Sequence, residues 1–88
     1  MLSVYKYEIP FSDYFELDLP KGAKVLHFDM QQGIPCLWAL VEPGAPTTKR
    51  MFRFAGTGHP IDEAPAQLKF VNTAQYRSFV WHVFEVLE

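Results

Sequence analysis

The chain has 88 residues, a net charge of −2, and a composition that is 49% hydrophobic and 16% aromatic. This length allows one domain with one core, and the aromatic content is typical of a folded chain rather than a disordered one. The net negative charge, without a cluster of Lys and Arg, argues against a nucleic-acid partner. The single cysteine, Cys36, excludes an intrachain disulfide.

The beginning of the chain has no basic stretch followed by an apolar segment, so we expect no signal peptide. No apolar run approaches ~18 residues, so we expect neither a membrane-spanning helix nor a membrane partner. A lone cysteine without a leader is typical of proteins in a reducing cytoplasm.

Two alternating patterns open the chain. Residues 4–9 place two tyrosines and an isoleucine on one face, which predicts a half-buried strand that ends at Pro10. Residues 15–19 alternate Phe, Leu and Leu with Glu and Asp, which predicts a second strand. Residues 19–22 contain a proline and a glycine and predict a turn of type I or type II.

The strongest hairpin signal joins residues 24–30 to residues 34–41. Gly33 supplies the positive φ that a tight turn requires. Pro35 lacks the N–H that a strand donates, so we expect the second strand to begin at the edge of a sheet.

Two loop lengths are possible for this hairpin, and they give different registers. A two-residue loop sets His27 opposite Trp38, whereas a three-residue loop sets Phe28 opposite Cys36. Only the three-residue loop, residues 31–33, gathers seven apolar residues on one face, and it is the predicted register. Those seven residues are Leu26, Phe28, Met30, Ile34, Cys36, Trp38 and Leu40.

The second half of the chain predicts three more strands. Residues 47–55 form one, with two phenylalanines facing inward, and residues 61–67 form an irregular surface loop. Residues 68–72 form a short strand, and residues 74–78 form either a single helical turn or an open loop. Residues 79–87 are apolar on both faces, which is typical of a central strand.

Six or seven strands with no amphipathic run of helical length predict an all-β fold. We expect a small antiparallel sandwich or barrel with little or no helix, in one domain over residues 1–88.

Five residue positions are candidate metal ligands, but none of them has the local pairing of a zinc site. A set built from His27, Asp29 and His82 is possible only if the strands bring them together. We therefore predict no metal, no cofactor and no catalytic residue. The five candidates are His27, Asp29, Cys36, His59 and His82.

The sequence Gly-Thr-Gly-His-Pro at residues 56–60 has the small residues of a phosphate-binding loop. Such loops lead into a helix, whose N-terminus supplies amides to the phosphate, and the prolines here do not allow one. The segment predicts a turn that ends a strand. The alternative is a site for an anionic small molecule at Thr57, Gly58 and His59, with Arg53 beside it.

The aromatic content exceeds what so small a core can bury completely. Tyr, Trp and Arg are enriched at the energetic centres of protein interfaces. Tyr76 and Arg77, before the last strand, form a predicted exposed pair of this kind. They indicate an interface with another protein or with a second copy of the chain.

Five blocks resemble small proteins of unknown function that are encoded by tailed phages and prophages. They are VYKYEI at residues 4–9, LPKGAKVL at 19–26, PCLWALV at 35–41, GTGHPI at 56–61 and VWHVFE at 80–85. The resemblance covers nearly the whole chain. It implies a protein of the cytoplasm of an infected bacterial host and carries no known activity.

The predicted function is that of a small non-enzymatic binding protein that inhibits a bacterial host protein. A component of an immune system such as CRISPR is the plausible target, which would make the chain an anti-defence protein. The alternative is a nucleotide-binding or other small-molecule-binding protein, and the third possibility is a histidine-based metal enzyme.

Overall fold

A computed structural model describes all 88 residues and confirms the all-β prediction. Seven antiparallel strands form two sheets that pack face to face, so the fold is a sandwich. The three-stranded sheet has the order β1-β4-β3, and the four-stranded sheet has the order β2-β5-β7-β6. The strands are β1 (Ser3–Glu8), β2 (Tyr14–Pro20), β3 (Lys24–Gln31), β4 (Ile34–Val41), β5 (Thr47–Gly56), β6 (Leu68–Tyr76) and β7 (Phe79–Val86).

The connections of the chain lie at two opposite ends of the sandwich. The upper end holds residues 9–13, the 32–33 turn, residues 57–60 and the 77–78 turn. The lower end holds residues 21–23, residues 42–46 and both chain termini. Residues 57–67 return from the upper end to the lower end and finish in a 3₁₀ turn, Pro65–Gln67. No helix of the structure has the length and apolar character that a membrane span requires.

The core lies between the two sheets and is built from the alternating apolar residues of each strand. Phe15 of β2 stacks on Phe52 of β5, with ring centroids 5.1 Å apart. Phe28 of β3 reaches across to Phe54 of β5, with centroids 5.5 Å apart, and so joins the sheets. The prediction that residues 79–87 form a central strand is confirmed, because β7 lies between β5 and β6.

The predicted register of the β3–β4 hairpin is wrong. The loop has two residues, Gln32 and Gly33, with φ of 52° and 80°, as in a type I′ turn. His27 therefore lies opposite Trp38, and a β-bulge at Leu26 changes the register beyond that pair. The two-residue loop sets Phe28 opposite Leu37 and Asp29 opposite Cys36, so the seven apolar residues expected on one face are divided between two.

Two further expectations about single strands are wrong. β4 does not begin at an edge, because it is the central strand of its sheet. The strand pairing of β1 with β4 ends at Cys36, next to Pro35. Beyond that pair, the carbonyl of Pro35 accepts a hydrogen bond from the N–H of Ile9. Residues 74–76 are not helical, since β6 runs on to Tyr76 with a bulge at Val71. The turn predicted at residues 19–22 lies one residue later, with Ala23 N–H bonded to the carbonyl of Pro20.

One side chain fastens the two sheets together along the β3 and β6 edges. The Asn72 amide donates to the carbonyl oxygen of Phe28 at 2.7 Å and accepts from the Phe28 N–H at 2.6 Å. An exposed sheet edge normally leaves such groups unpaired. Asn72 satisfies both groups, so this side of the sandwich is closed.

Candidate functional site

Five aromatic rings gather at the upper end around Trp81 of β7, and we call them the aromatic cluster. The ring centroids of the other four lie 5.0–6.0 Å from that of Trp81, which is the range of favourable ring contacts. The five come from four separate parts of the chain. They are Phe11, Phe54, His59, Phe79 and Trp81.

The aromatic cluster is buried on one side and open on the other. Phe54 is 2% exposed and belongs to the core, whereas Phe11 is 54% and Phe79 is 60% exposed. Trp81 is half-buried between them, and its Nε1 is buried without a hydrogen-bond partner. An unpaired buried donor costs about 1–3 kcal/mol, so this N–H is an unsatisfied group in the closure of the upper end.

A depression of 320 Å³ lies beside the rings. Its wall combines three aromatic rings with polar groups from the β1–β2 connection and the histidine. The lining residues are Phe11, Ser12, Asp13, Phe54, His59 and Trp81. An apolar floor with a few polar groups at the rim is the usual character of a binding surface.

The Gly56–Pro60 segment is the strand-ending turn that the sequence predicts. The His59 N–H donates to the carbonyl of Gly56 at 3.0 Å, and Gly58 has φ of 90°, as in a type II turn. The Gly56 N–H donates to His59 Nδ1, and the Thr57 N–H donates to the carbonyl of Val80. Three of the amides that an anion would need are therefore occupied within the protein.

His59 is held in place by its own turn. Because Nδ1 accepts the Gly56 N–H at 3.1 Å, the neutral ring carries its proton on Nε2. A Cβ at position 56 would lie 2.9 Å from His59 Cε1, so the ring and the glycine backbone are in contact. The ring also meets Trp81 edge to face, which makes His59 part of the aromatic cluster.

Thr57 contacts the second histidine of this sheet rather than the depression. Its Oγ1 lies 2.8 Å from His82 Nε2, and Thr73 Oγ1 lies 2.8 Å from His82 Nδ1. His82 is thus bonded on both ring nitrogens to hydroxyl groups. The arrangement links the turn to β6 and β7 and leaves no lone pair of His82 free for a metal ion.

Arg53 is buried, although alternation places it on the outward face of β5. It is only 4% exposed, and its guanidinium donates to the carbonyls of Asp13, Phe54 and Pro60 at 2.7–3.0 Å. Its charge also lies 5.2 Å from the ring centroid of Tyr14. These bonds fix the return loop, residues 57–67, against the four-stranded sheet, so Arg53 has a structural role.

A second contact anchors the same loop. The Tyr14 hydroxyl donates to Glu63 Oε2 at 2.6 Å, and this hydrogen bond is the main reason that the pKa of Tyr14 is raised above its usual value. Together with Arg53, this bond ties the β2 edge to residues 60–63.

The predicted pair Tyr76 and Arg77 lies at the β6–β7 turn of the upper end. Tyr76 is half-buried at the end of β6, and its hydroxyl lies 3.1 Å from where a Cβ on Gly33 would stand. Arg77 is exposed, has φ of 57°, and places its guanidinium carbon 5.2 Å from the Tyr76 ring centroid. Tyr76 pairs across the turn with Phe79 of the aromatic cluster.

The three histidines do not converge. His27 lies on the outer face of the three-stranded sheet near Trp38, while His59 and His82 belong to the four-stranded sheet and its turn. No group of three or more His, Cys, Asp or Glu side chains is placed to hold a metal ion. Cys36 is buried, but it shares a face with Trp38 and not with Phe28, because it lies opposite Asp29 while Phe28 lies opposite Leu37.

Phe11 and Phe79 are the site residues that the sequence reasoning missed. Phe11 sits between Pro10 and Ser12, and its contact with Trp81 comes from the fold and carries no local sequence signal. Phe79 falls within the strand predicted to be covered on both faces, but it is the first residue of β7 and is 60% exposed.

One family model matches the chain over residues 1–88, and its description is a domain of unknown function, DUF7352. No curated protein and no solved structure matches the chain. Because the match extends over the whole chain, this all-β sandwich belongs to the DUF7352 family.

Proposed function

We propose that this chain is a non-enzymatic binding protein whose upper end attaches to another protein. The observation that carries the proposal is the pair of phenylalanines on the aromatic cluster, Phe11 and Phe79, which are more than half exposed at one end of the sandwich. Aromatic side chains that expose a face while resting on a rigid base are typical of interface centres.

The surroundings of these rings support an interface with a protein. Arg77 and Asp13 supply charges of both signs near the rings, and a polar rim around an apolar centre is the usual composition of an interface. The occupied amides at residues 56–59 favour this surface over the alternative of a nucleotide site.

The proposed partner is a protein of a bacterial host, in whose cytoplasm a phage-encoded chain acts. This part of the proposal rests on the resemblance of residues 4–9, 56–61 and 80–85 to proteins of tailed phages and prophages. A host immune component, such as one of a CRISPR system, is the class of target for which a phage has the clearest use. Binding without chemistry is sufficient to inhibit it.

The first test is capture of a partner from a bacterial lysate with the wild-type chain and the double variant Phe11→Ala/Phe79→Ala, followed by mass spectrometry. We expect one host protein to be retained by the wild type and reduced at least about tenfold with the double variant. The matched control is Phe70→Ala, since Phe70 is 56% exposed but lies outside the aromatic cluster.

The Phe70→Ala control shows whether a loss of the captured partner is specific to the upper end. Retention by Phe70→Ala with loss by the double variant supports the upper end as the interface. Equal retention by all three chains, or equal loss by Phe70→Ala, contradicts it. Thermal denaturation of each variant confirms that the folded state is populated during capture.

A further inference from the structure

We propose that two copies of this chain pair along strand β1 and form a dimer with one continuous six-stranded sheet. This inference concerns a different surface from the upper end and does not depend on it. It follows from the state of the four sheet edges and from the charges on one of them.

The edges of the two sheets are not equally covered. β3 and β6 lie against each other, and Asn72 pairs with both backbone groups of Phe28. β1 is an edge strand of six residues without such a cover, and Val4, Tyr5, Lys6 and Glu8 are exposed along it. An uncovered edge strand is a template for pairing with another strand.

The hydrogen-bond pattern shows which groups of β1 are free. The Ile9 N–H donates to the carbonyl of Pro35, and bonded positions alternate along an antiparallel ladder. Tyr7 and Tyr5 therefore bond to β4. The backbone groups of Val4, Lys6 and Glu8 point away from the sheet toward solvent.

The free positions carry opposite charges two residues apart. Lys6 and Glu8 are both exposed on the outer face, Lys6 bonds only to the neutral Gln31 side chain, and Glu8 forms no ion pair. In a two-fold antiparallel pairing with Tyr7 opposite Tyr7, each Lys6 lies opposite the Glu8 of the second copy. The contact is self-complementary, as a two-fold interface requires.

Other pairings lack this match. Lys6 opposite Lys6 places like charges together, and Lys6 opposite Val4 leaves both charges without a partner. The remaining open edge, β2, carries Glu16 and Asp18 and contains no basic residue, so two copies of β2 have no opposite charges to pair. The charges therefore favour pairing of two copies along β1, in the register that sets Tyr7 opposite Tyr7.

The test measures the mass of the wild type, Lys6→Glu, Glu8→Lys and the double variant by light scattering after size exclusion. The chain has a mass of 10.2 kDa, and we expect the wild type to elute with twice that mass. Each single variant places like charges opposite each other twice and raises the dissociation constant about tenfold or more. The double variant exchanges the charges and restores the dimer.

The matched control is Glu16→Lys, which makes the same change as Glu8→Lys on the other exposed edge. We expect it to remain a dimer, and circular dichroism verifies that every variant is folded. A monomeric wild type at high micromolar concentration overturns the proposal. So does a single variant that stays dimeric, or a double variant that stays monomeric.

The dimer is also separable from the proposed function. Phe11→Ala/Phe79→Ala is expected to lose the host partner and keep the dimer, whereas Lys6→Glu is expected to lose the dimer and keep the partner. A common loss in both variants contradicts the separation of the two surfaces.

Discussion

The two ends of the sandwich are closed in different ways. At the lower end, Arg50 forms a two-pronged ion pair with Glu85, with N–O distances of 2.6 and 2.7 Å, and its remaining nitrogen donates to the carbonyl of Ala23. At the upper end, the closure is the aromatic cluster, which leaves Phe11 and Phe79 largely exposed, and the ion pair beside it, Arg53–Asp13, is longer at 3.6 Å, with the Asp13 side chain 80% exposed.

The two ends differ in how many of their polar groups are hydrogen-bonded and how much of their apolar surface is covered. Arg50 is bonded at three nitrogens, and its hydrogen bond to Glu85 raises its pKa above the usual value, against the effect of burial. A satisfied buried pair gains little from a new contact. The upper end, by contrast, leaves Phe11 and Phe79 more than half exposed, so the proposed partner is expected there and not at the lower end.

The largest expected effect is from Trp81→Ala. It removes the ring that contacts all four others in the aromatic cluster, and we expect a loss of about 3 kcal/mol in unfolding free energy, near the lower limit for large aromatic truncations because Trp81 is half-buried. Denaturant titration measures it. An unchanged midpoint means that the upper end does not depend on this ring.

The next effect comes from breaking the lower-end pair with Glu85→Gln. It leaves the Arg50 guanidinium without a countercharge, and we expect a loss of about 2–3 kcal/mol, somewhat below the cost for fully buried pairs. The control is Lys49→Met, which removes the exposed Lys49–Asp18 contact and costs less than ~0.5 kcal/mol. Equal losses from both variants contradict a special role for Arg50 and Glu85.

A smaller effect distinguishes the turns of the two ends. Gly33 and Gly22 have φ of 80° and 81°, but an added Cβ meets the Tyr76 hydroxyl only at position 33. Both Gly→Ala changes cost about 1 kcal/mol for the left-handed backbone, and Gly33→Ala costs more because Tyr76 must move. If Gly22→Ala is the more destabilising of the two, the Tyr76 contact is unimportant.

The last prediction concerns a reaction rate and leaves the stability of the protein unchanged. It uses the thiol of Cys36, near the upper turn of β4, as a chemical probe. Burial is the main cause that raises the pKa of the Cys36 thiol, so the reactive thiolate is scarce at neutral pH. We expect a thiol reagent to react about a hundredfold more slowly with the folded protein than with the denatured one. A rate near that of the denatured chain means that the upper part of β4 opens readily.

The fold was predictable where one alternating pattern dominates. β2 shows this, with Phe15 and Leu19 buried and Glu16 exposed, and so does β5 with its two inward phenylalanines. The β3–β4 register was not predictable, because the two-residue turn at Gln32 and Gly33 shifts it by one residue and the bulge at Leu26 shifts it back within the same strand. The length of β6 was missed since its polar residues are held in the ladder by pairing with β7.

The candidate site was predictable only in part, for a physical reason. The turn at residues 56–60 and the pair Tyr76 and Arg77 are local features, and alternation also placed Arg53 outside the core. The burial of Arg53 depends on a loop that folds back over the sheet. The contacts of Phe11 with Trp81 join residues 70 positions apart, and local spacing does not reveal such a contact.

The measurement that tests the central claim most directly is site-specific photo-crosslinking in a bacterial lysate. A photoreactive phenylalanine analogue at position 79 should form an adduct with one host protein, and the same analogue at position 70 should not. Both positions carry exposed phenylalanines, so exposure alone cannot produce the difference. Equal adducts at the two positions, or an adduct at position 70 alone, would contradict the assignment of binding to the upper end.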